Sequence, residues 1–562
     1  MRKLLLLTLA AAVSFQAAAQ SWDQAYLFSE NNYGGTARSI GMGNALTAVG
    51  GDPGSLTLNP AGSSVAGYSQ FFITPALSIT ATRSAGYVPE GALDPIGMGD
   101  AVFSGYTRMK VHNLGFIISM DTGRRHGFKR MSVGFVVNST GDFTGRINAA
   151  GVNYNNDSYS GSLASLAQGY ATSELGATDW FAEGPSWESM LGFRTGMFDY
   201  DNVAGKYVGV SDVPGTRGPD AALYQKYGLQ TKGYKQDVLL NMSANFSDQF
   251  YIGANLGIVT LSYGASQIWE EMPENAQTFP AVKYEDGTTA RFQSLSMRQM
   301  YNVTGNGMYF KAGFIWRPFA GLRIGGAIQT PTVLNMKGRC QWSGETNLQG
   351  QYFPAKSTPE DSWLYALVTP FRWNVGLAYA FGKFAVLSAD YEWVDYKFAH
   401  FGGRSVNSDL ISEGTYSDEN ADIVDALGIA HHVRAGLEFK PAENFAVRVG
   451  YNYTSGAQKS WVDYYFDKDG DVVVGVTPLT QSEIRAQDRH TVSFGLGYSI
   501  GSFFTDFAVR MRFYPDGYYT PYYHYQSGKT HTLKLPDYSK ETPVVRVSET
   551  GIDTVLTLGW RF

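Results

Sequence analysis

Residues 552–562 read Ile552-Asp553-Thr554-Val555-Leu556-Thr557-Leu558-Gly559-Trp560-Arg561-Phe562. Ile552, Thr554, Leu556, Leu558, Trp560 and Phe562 fall on one face of an extended chain, and Asp553, Val555, Thr557, Gly559 and Arg561 on the other. Side chains of a strand alternate between two faces, so one face wants an apolar medium and the other a polar one. The same period returns upstream. Phe445, Val447, Val449, Tyr451 and Tyr453 alternate with Ala446, Arg448, Gly450 and Asn452; Phe507, Val509, Met511 and Phe513 alternate with Ala508, Arg510 and Arg512.

Period 2 alone fits a soluble sandwich as well as a membrane barrel. Connection lengths separate the two. Fourteen strands are expected at 67–82, 107–120, 128–140, 235–247, 249–264, 306–317, 321–332, 370–382, 383–398, 430–441, 444–456, 488–501, 502–515 and 548–562. Tight turns at Asp121 to Gly127, Ser247-Asp248, Pro318 to Ala320, Gly382-Lys383, Pro441 to Glu443 and Gly501-Ser502 alternate with long connections. Short turns on one rim and long loops on the other are the plan of an outer-membrane barrel. Connections in compact soluble domains have a median near about 5 residues, which disfavours a sandwich. The fold expected is an all-β, 14-stranded antiparallel transmembrane β-barrel, with Phe562 ending a strand of the kind the outer-membrane assembly machinery reads.

Composition agrees. The 562 residues include 36 Tyr, 34 Phe, 11 Trp and 64 Gly, and only 17% are charged. So many aromatics exclude a disordered chain, and no apolar run of about 18 residues suggests a membrane helix. A net charge of −6 gives no sign of a nucleic-acid partner, and a single cysteine, Cys340, excludes an intrachain disulfide. Arg2 and Lys3, the apolar Leu4 to Val13 and the small Ala17-Ala18-Ala19 form a secretory signal pattern, expected to end at residue 19. Export, aromatics and scarce cysteine point to the outer membrane of a Gram-negative bacterium.

Twelve charged residues would point into the lumen: Asp237, Lys311, Arg323, Arg372, Asp390, Glu392, Arg434, Glu438, Arg448, Asp506, Arg510 and Arg512. Buried charges must find partners, so a rigid network of ion pairs is the first reading. The second is that an arginine among Arg323, Arg434, Arg448 and Arg510 receives a ligand's carboxylate, a geometry guanidinium suits. Residues 20–66 are glycine-dense and compact, and suit packing inside a tube as a plug, leaving 67–562 for the barrel.

The run from Ala37 to Gly62, with Ala37-Arg38, Gly41-Met42-Gly43, Ala45, Asp52 and Asn59-Pro60-Ala61, resembles the N-terminal hatch of the FadL family of outer-membrane transporters of long-chain fatty acids and other hydrophobic compounds. Thr330-Pro331, Gly376 to Tyr379, Asp390 to Trp393, Arg434 to Phe439, Arg448 to Tyr453 and Asp488-Arg489-His490 extend the likeness over the mature chain. The resemblance implies that Gly41, Met42, Gly43, Asn59, Pro60 and Ala61 belong to a hatch blocking the lumen. It also implies lateral release of cargo beside an inward kink in the third strand, near Gly134 to Gly141. The connection from about Gly141 to Lys235 departs from better-known members.

That connection carries a candidate capture surface. Leu163, Leu166 and Ala167 have helical spacing, and Trp180, Phe181, Trp187, Met190, Leu191 and Phe193 form an apolar cluster. Large exposed apolar groups mark binding surfaces, although they also pack a cap. The function expected is passive uptake of fatty acids or other hydrophobic small molecules. No phosphate-binding loop or nucleotide domain suggests an energy source, and no cofactor, metal or catalytic residue is expected. The alternative is a surface-binding or secretion-linked barrel that holds a protein partner. Haem capture by Tyr518 to Tyr525 is a lesser alternative, Tyr and His both being iron ligands. His431 and His432 point to opposite faces, and Asp467 to Asp471 lacks the glycine position and final glutamate of a calcium loop.

Overall fold

The computed structural model describes residues 21–562 apart from 88–96, 156, 182–183, 213–218, 284–288, 406–407, 413–415, 460–462, 467–471, 476–486 and 526–541. The signal segment and the Asp467 to Asp471 turn lie outside the described residues.

Fourteen antiparallel strands close into one barrel. In chain order the first six are Gln70–Gly86, Val102–Asp121, Phe128–Asp142, Leu223–Phe246, Phe250–Pro273 and Thr289–Trp316. The seventh and eighth are each interrupted once, as Leu322–Gln329 with Val333–Leu348 and Asp361–Val368 with Arg372–Phe381. Then come Ala385–Asp395, Ile429–Ala442, Phe445–Thr454, Arg489–Ile500, Phe503–Phe513 and Val545–Arg561. The last strand pairs with the thirteenth on one side and the first on the other, from Gln70↔Arg561 to Gly86↔Val545. Closure joins the first and last strands so that the sheet does not end in hydrocarbon, and the one gap in its ladder lies between the upper parts of the second and third strands. At Ser247 and Asp248 both φ values are positive, 56° and 57°, as in the two-residue turn whose twist matches its flanking strands.

The outward faces form the apolar belt. Phe71, Leu77, Phe116, Leu240, Leu256, Phe314, Leu377, Leu437, Val449, Phe494 and Met511 are all exposed. Near the short-turn rim the belt ends in aromatic rings, among them Phe250, Trp316, Phe381, Phe439, Tyr498, Phe503 and Trp560. Such a row marks the lipid–water boundary of a transmembrane barrel. The fourth to sixth strands are much longer than the belt needs, at 24, 24 and 28 residues. Sequence reading placed these strands but began or ended them well short, because their outer halves support protein and lose the lipid-facing alternation.

Residues 21–65 fill the lumen. α1 (Trp22–Ser29), α2 (Ala37–Gly41) and two short 3-10 turns, Pro53–Thr57 and Pro60–Val65, are buried almost throughout. Each turn is started by a side-chain cap: Thr36 accepts from the Ser39 amide, Asp52 from Gly54 and Asn59 from Ala61. A plug made mostly of irregular backbone must find hydrogen bonds in the wall, and it does. The Asn59 amide nitrogen donates to Thr47 O and Phe314 O, both at 2.8 Å. Lys311 Nζ reaches Thr57 O at 2.7 Å, Asn255 Nδ2 reaches Leu56 O at 2.7 Å and Arg323 Nη1 reaches Val49 O at 2.7 Å. Arg38 holds Glu438 through two bonds of 2.8 and 3.0 Å.

Glycines on both sides of the contact let the plug and the wall come close. Gly43 has φ of +62°, and a Cβ there would lie 2.8 Å from the backbone of Tyr451; a Cβ on Gly450 would lie 2.0 Å from Gly43 N. Both positions require the absence of a side chain.

Glu438 accepts from Arg38 and also from Arg448 at 2.7 Å. The substitution Glu438→Gln leaves two buried guanidiniums short of charge, with a cost of about 3 kcal/mol. The expected outcome is a lower temperature for the loss of compact electrophoretic migration, measured on unheated and heated protein in detergent.

Candidate functional site

One stretch of the wall is incomplete. The second strand pairs with the third only from Asn113↔Asn138 to Asp121↔Arg130, although it pairs with the first strand up to Ser84↔Val102. Above Asn138 the third strand shifts register at Ser139/Gly141, breaks at Phe143 and Thr144, and resumes as Gly145–Asn153 along the fourth strand. That upper segment runs on the lumenal side of the first two strands. Thr82 Oγ1 donates to Arg146 O, and Asn148 Nδ2 donates to Ser104 Oγ at 2.8 Å. An isolated bridge, Asp100↔Ala150, closes the top. Between these limits the second strand has a free edge, and the wall has a window.

The window is bolted by polar groups. Lys110 pairs with Asp142, and Arg108 Nη1 donates to Thr144 Oγ1 at 3.1 Å and Gly233 O at 2.9 Å. Below them the hatch takes up the carbonyls that the second strand does not use: Asn32 N donates to Thr140 O at 2.7 Å and Gly34 N to Ser139 O at 2.8 Å. The break lies at the C-terminal side of the expected kink. The bolts Arg108 and Lys110 were missed in the sequence, where they alternate with the exposed Met109 and Val111 like any other polar face of a strand.

Phe143, at the break, turns inward onto an apolar chamber. Its ring meets Phe28 of α1 at 5.8 Å and Tyr263 at 5.7 Å, and Tyr26 meets Tyr396 at 4.8 Å. Val259, Leu261, Leu334 and Leu367 continue the lining, and α6 (Ser417–Ala426) covers it with Ile423 and Ala426. α1 therefore fills the chamber with Ala25, Tyr26, Leu27 and Phe28.

Over the long-loop rim sits a cap made from the third connection. It contains α3 (Tyr159–Ala167), α4 (Thr172–Leu175), α5 (Trp187–Arg194) and the hairpin Phe198–Asp201/Lys206–Gly209. Tyr159 stacks on Trp269 at 5.2 Å, and Trp269 on Trp342 at 5.8 Å, joining the cap to the fifth and seventh strands. The candidate capture residues divide. Leu163, Leu166, Ala167, Met190 and Leu191 are buried in this core, whereas Phe181 is 67% exposed and packs on Trp187 at 5.0 Å. Trp180 meets Trp187 at 5.9 Å and carries Arg194 on its face, while Phe193 lies half-buried against the cap core. The aromatic run of the last loop belongs to the cap as well. Tyr519 and Tyr522 are buried, Tyr522 donates to Asp157 at 3.0 Å and His524 pairs with the other Asp157 oxygen. The atoms a haem iron would need from Tyr522 and His524 are thus engaged with the protein.

The lumenal arginines are also committed. Arg448 holds Asp506 at 2.6 Å as well as Glu438, and Arg510 holds Asp553 at 2.6 Å and the carbonyl of Tyr33 at 3.0 Å. Arg434 shares Glu392 with Arg372, but its Nε and Nη1 have no partner and border a cavity of about 20 Å³ with His432, Arg489 and Asn452. That space suits one water rather than a cargo head group. Arg323 alone among the four is half-buried and faces the short-turn rim. Among the described residues, no group of His, Cys, Asp and Glu is placed to hold a metal ion.

Fold and wall together define a plugged transmembrane barrel. The same architecture is found in a Pseudomonas aeruginosa FadL homologue, which is 14% identical, with 94% of this chain and 99% of that chain covered and a TM-score of 0.50. The toluene transporters TodX of P. putida and TbuX of Ralstonia pickettii also align, at 12% and 14% identity over 95% and 94% of this chain and 99% and 98% of theirs, with TM-scores of 0.47 and 0.45. No family model matches the chain, and no curated protein matches it by sequence. The chain has the FadL-type fold.

Glu188, on α5, is buried and accepts a hydrogen bond from Tyr159 at 2.9 Å. Burial pushes its carboxyl up to about 7 from 4.5. Because the folded value is raised, the cap is favoured by the protonated form and loses that preference as pH rises from about 4.5 through 7, by about 3 kcal/mol in total. After correction for the intrinsic base-catalysed rate, the protection of amides in α3 and α5 is expected to be lower at pH 8 than at pH 5.5, and that loss of protection is expected to vanish in Glu188→Gln.

Proposed function

We propose that this protein is a member of the FadL family and carries hydrophobic small molecules, fatty acids among them, passively across the outer membrane of a Gram-negative bacterium. The observation that supports this reading most strongly is the window beside the third strand, opening from an apolar lumenal chamber toward the bilayer. Each methylene moved from water to an apolar site contributes about 0.8 kcal/mol, so a greasy cargo favours every station of such a path over the aqueous phase.

The exposed ring of Phe181, with the half-buried Trp180 and Trp187 beneath it, is the first station, and the chamber now filled by α1 is the second. Cargo entering the chamber displaces α1. It then leaves sideways when Arg108 and Lys110 release Asp142 and Thr144, passing between the second and third strands into the membrane. The hatch core from Ala37 to Ala61, lashed to the wall on several strands, stays in place and keeps solutes from leaking through.

The test is a lock across the window. In a Cys340→Ser background, Ser104→Cys with Asn148→Cys replaces a 2.8 Å hydrogen bond by a disulfide. Oxidised protein in liposomes is expected to lose the flux of a fluorescent fatty acid and of a neutral aromatic, and a reductant is expected to restore both. Unchanged flux in the oxidised protein would sink the lateral route.

A further inference from the structure

At the short-turn rim, the turns after the fourth, sixth and eighth strands surround a cavity of about 730 Å³. Its walls are aromatic. Phe319 is 61% exposed and Phe384 56%, with Tyr379 and Phe381 beside them on the lipid-facing side. Its inner side holds two guanidiniums, Arg317 and Arg323.

These arginines differ from the lumenal ones because neither has a carboxylate. Among the described residues, Arg317 makes no ion pair, its Nε is buried without a hydrogen-bond partner, and its guanidinium lies over the Tyr251 ring at 4.7 Å. Arg323 has only the carbonyl of Val49, at 2.7 Å. The one acid on the cavity wall, Asp248, is taken by Lys129 and by Asn245 at 2.7 Å. Two uncompensated cations at the base of an aromatic funnel, at the depth where the apolar belt ends, call for a ligand with an anionic head and apolar tails.

The geometry points to a binding site for an anionic phospholipid of the adjoining leaflet. The phosphate is held by Arg317 and Arg323, whose planar donors match its oxygens. The acyl chains lie along Phe319, Phe381 and Phe384. The site is distinct from the cargo path: it is centred several strands around the barrel from the window and lies at the opposite rim from the cap. Its role is to fix a lipid against the turns on either side of the hatch carbonyl of Val49.

The test uses the full mature protein in a maltoside detergent with dimyristoyl-phosphatidylglycerol or dimyristoyl-phosphatidylcholine, counting bound lipids by native mass spectrometry. One phosphatidylglycerol is expected to persist where phosphatidylcholine is lost. Arg317→Gln is expected to cut that retention by about fivefold and Arg317→Lys to keep most of it, since charge carries the contact. Compact migration of the unheated variants confirms that the barrel is formed. Phe384→Ser is expected to weaken the lipid, and inorganic phosphate alone is expected not to displace it. Equal retention of both lipids, unchanged retention in the Arg317→Gln/Arg323→Gln pair, or full displacement by inorganic phosphate would each overturn the assignment, the last by revealing a free-anion site. None of these readouts depends on flux, so the uptake proposal stands or falls separately.

Discussion

The ring of backbone hydrogen bonds closed between Gln70 and Arg561 governs the rest of this molecule. In hydrocarbon an unpaired amide costs several kcal/mol, so the sheet must be complete wherever lipid touches it. The free edge of the second strand is the exception, and the molecule compensates at once. The third strand tucks its upper part behind the first two, the hatch bonds to Ser139 and Thr140, and Arg108 and Lys110 reach across to Thr144, Gly233 and Asp142. An interruption satisfied by side chains and by a separate segment is easier to open than a ladder, because no strand has to unzip.

The same economy of partners shapes the interior. Lumenal charges are balanced against one another, with Glu392 and Asp553 each shared by two arginines of the wall and Glu438 shared by Arg448 of the wall and Arg38 of the plug. Breaking such a buried pair is expensive, so these residues hold the cylinder and its plug in register. α1 combines both kinds of hold: its rings pack in the apolar chamber, while Lys235 donates to Phe28 O at 2.9 Å, Arg372 to Ser29 O and Tyr301 to the Gln24 side chain at 2.9 Å.

Much of this was legible in the sequence, for a physical reason. Lipid imposes one rule on every outward position, so the period-2 signal of Ile552 to Phe562 recurs in all fourteen strands, and each of them was placed. Asn59-Pro60-Ala61 stood out in the sequence, and its asparagine starts a turn and reaches the wall. Details that depend on pairing were not legible. Which arginine keeps a free donor is decided by neighbours hundreds of residues away, as Glu438 is for Arg38. The cap was only half readable, because Leu191 and Phe181 look alike in a sequence although one is buried and the other stands in water.

The fourth to sixth strands have a consequence of scale. A strand of 28 residues is roughly 95 Å long, and at the usual barrel tilt it rises about 70 Å, against a hydrocarbon thickness near 30 Å. These three strands thus stand as a parapet beyond the bilayer, with the aromatic rings of the third connection along its crest. Whatever binds at that height meets the protein well clear of the lipid surface.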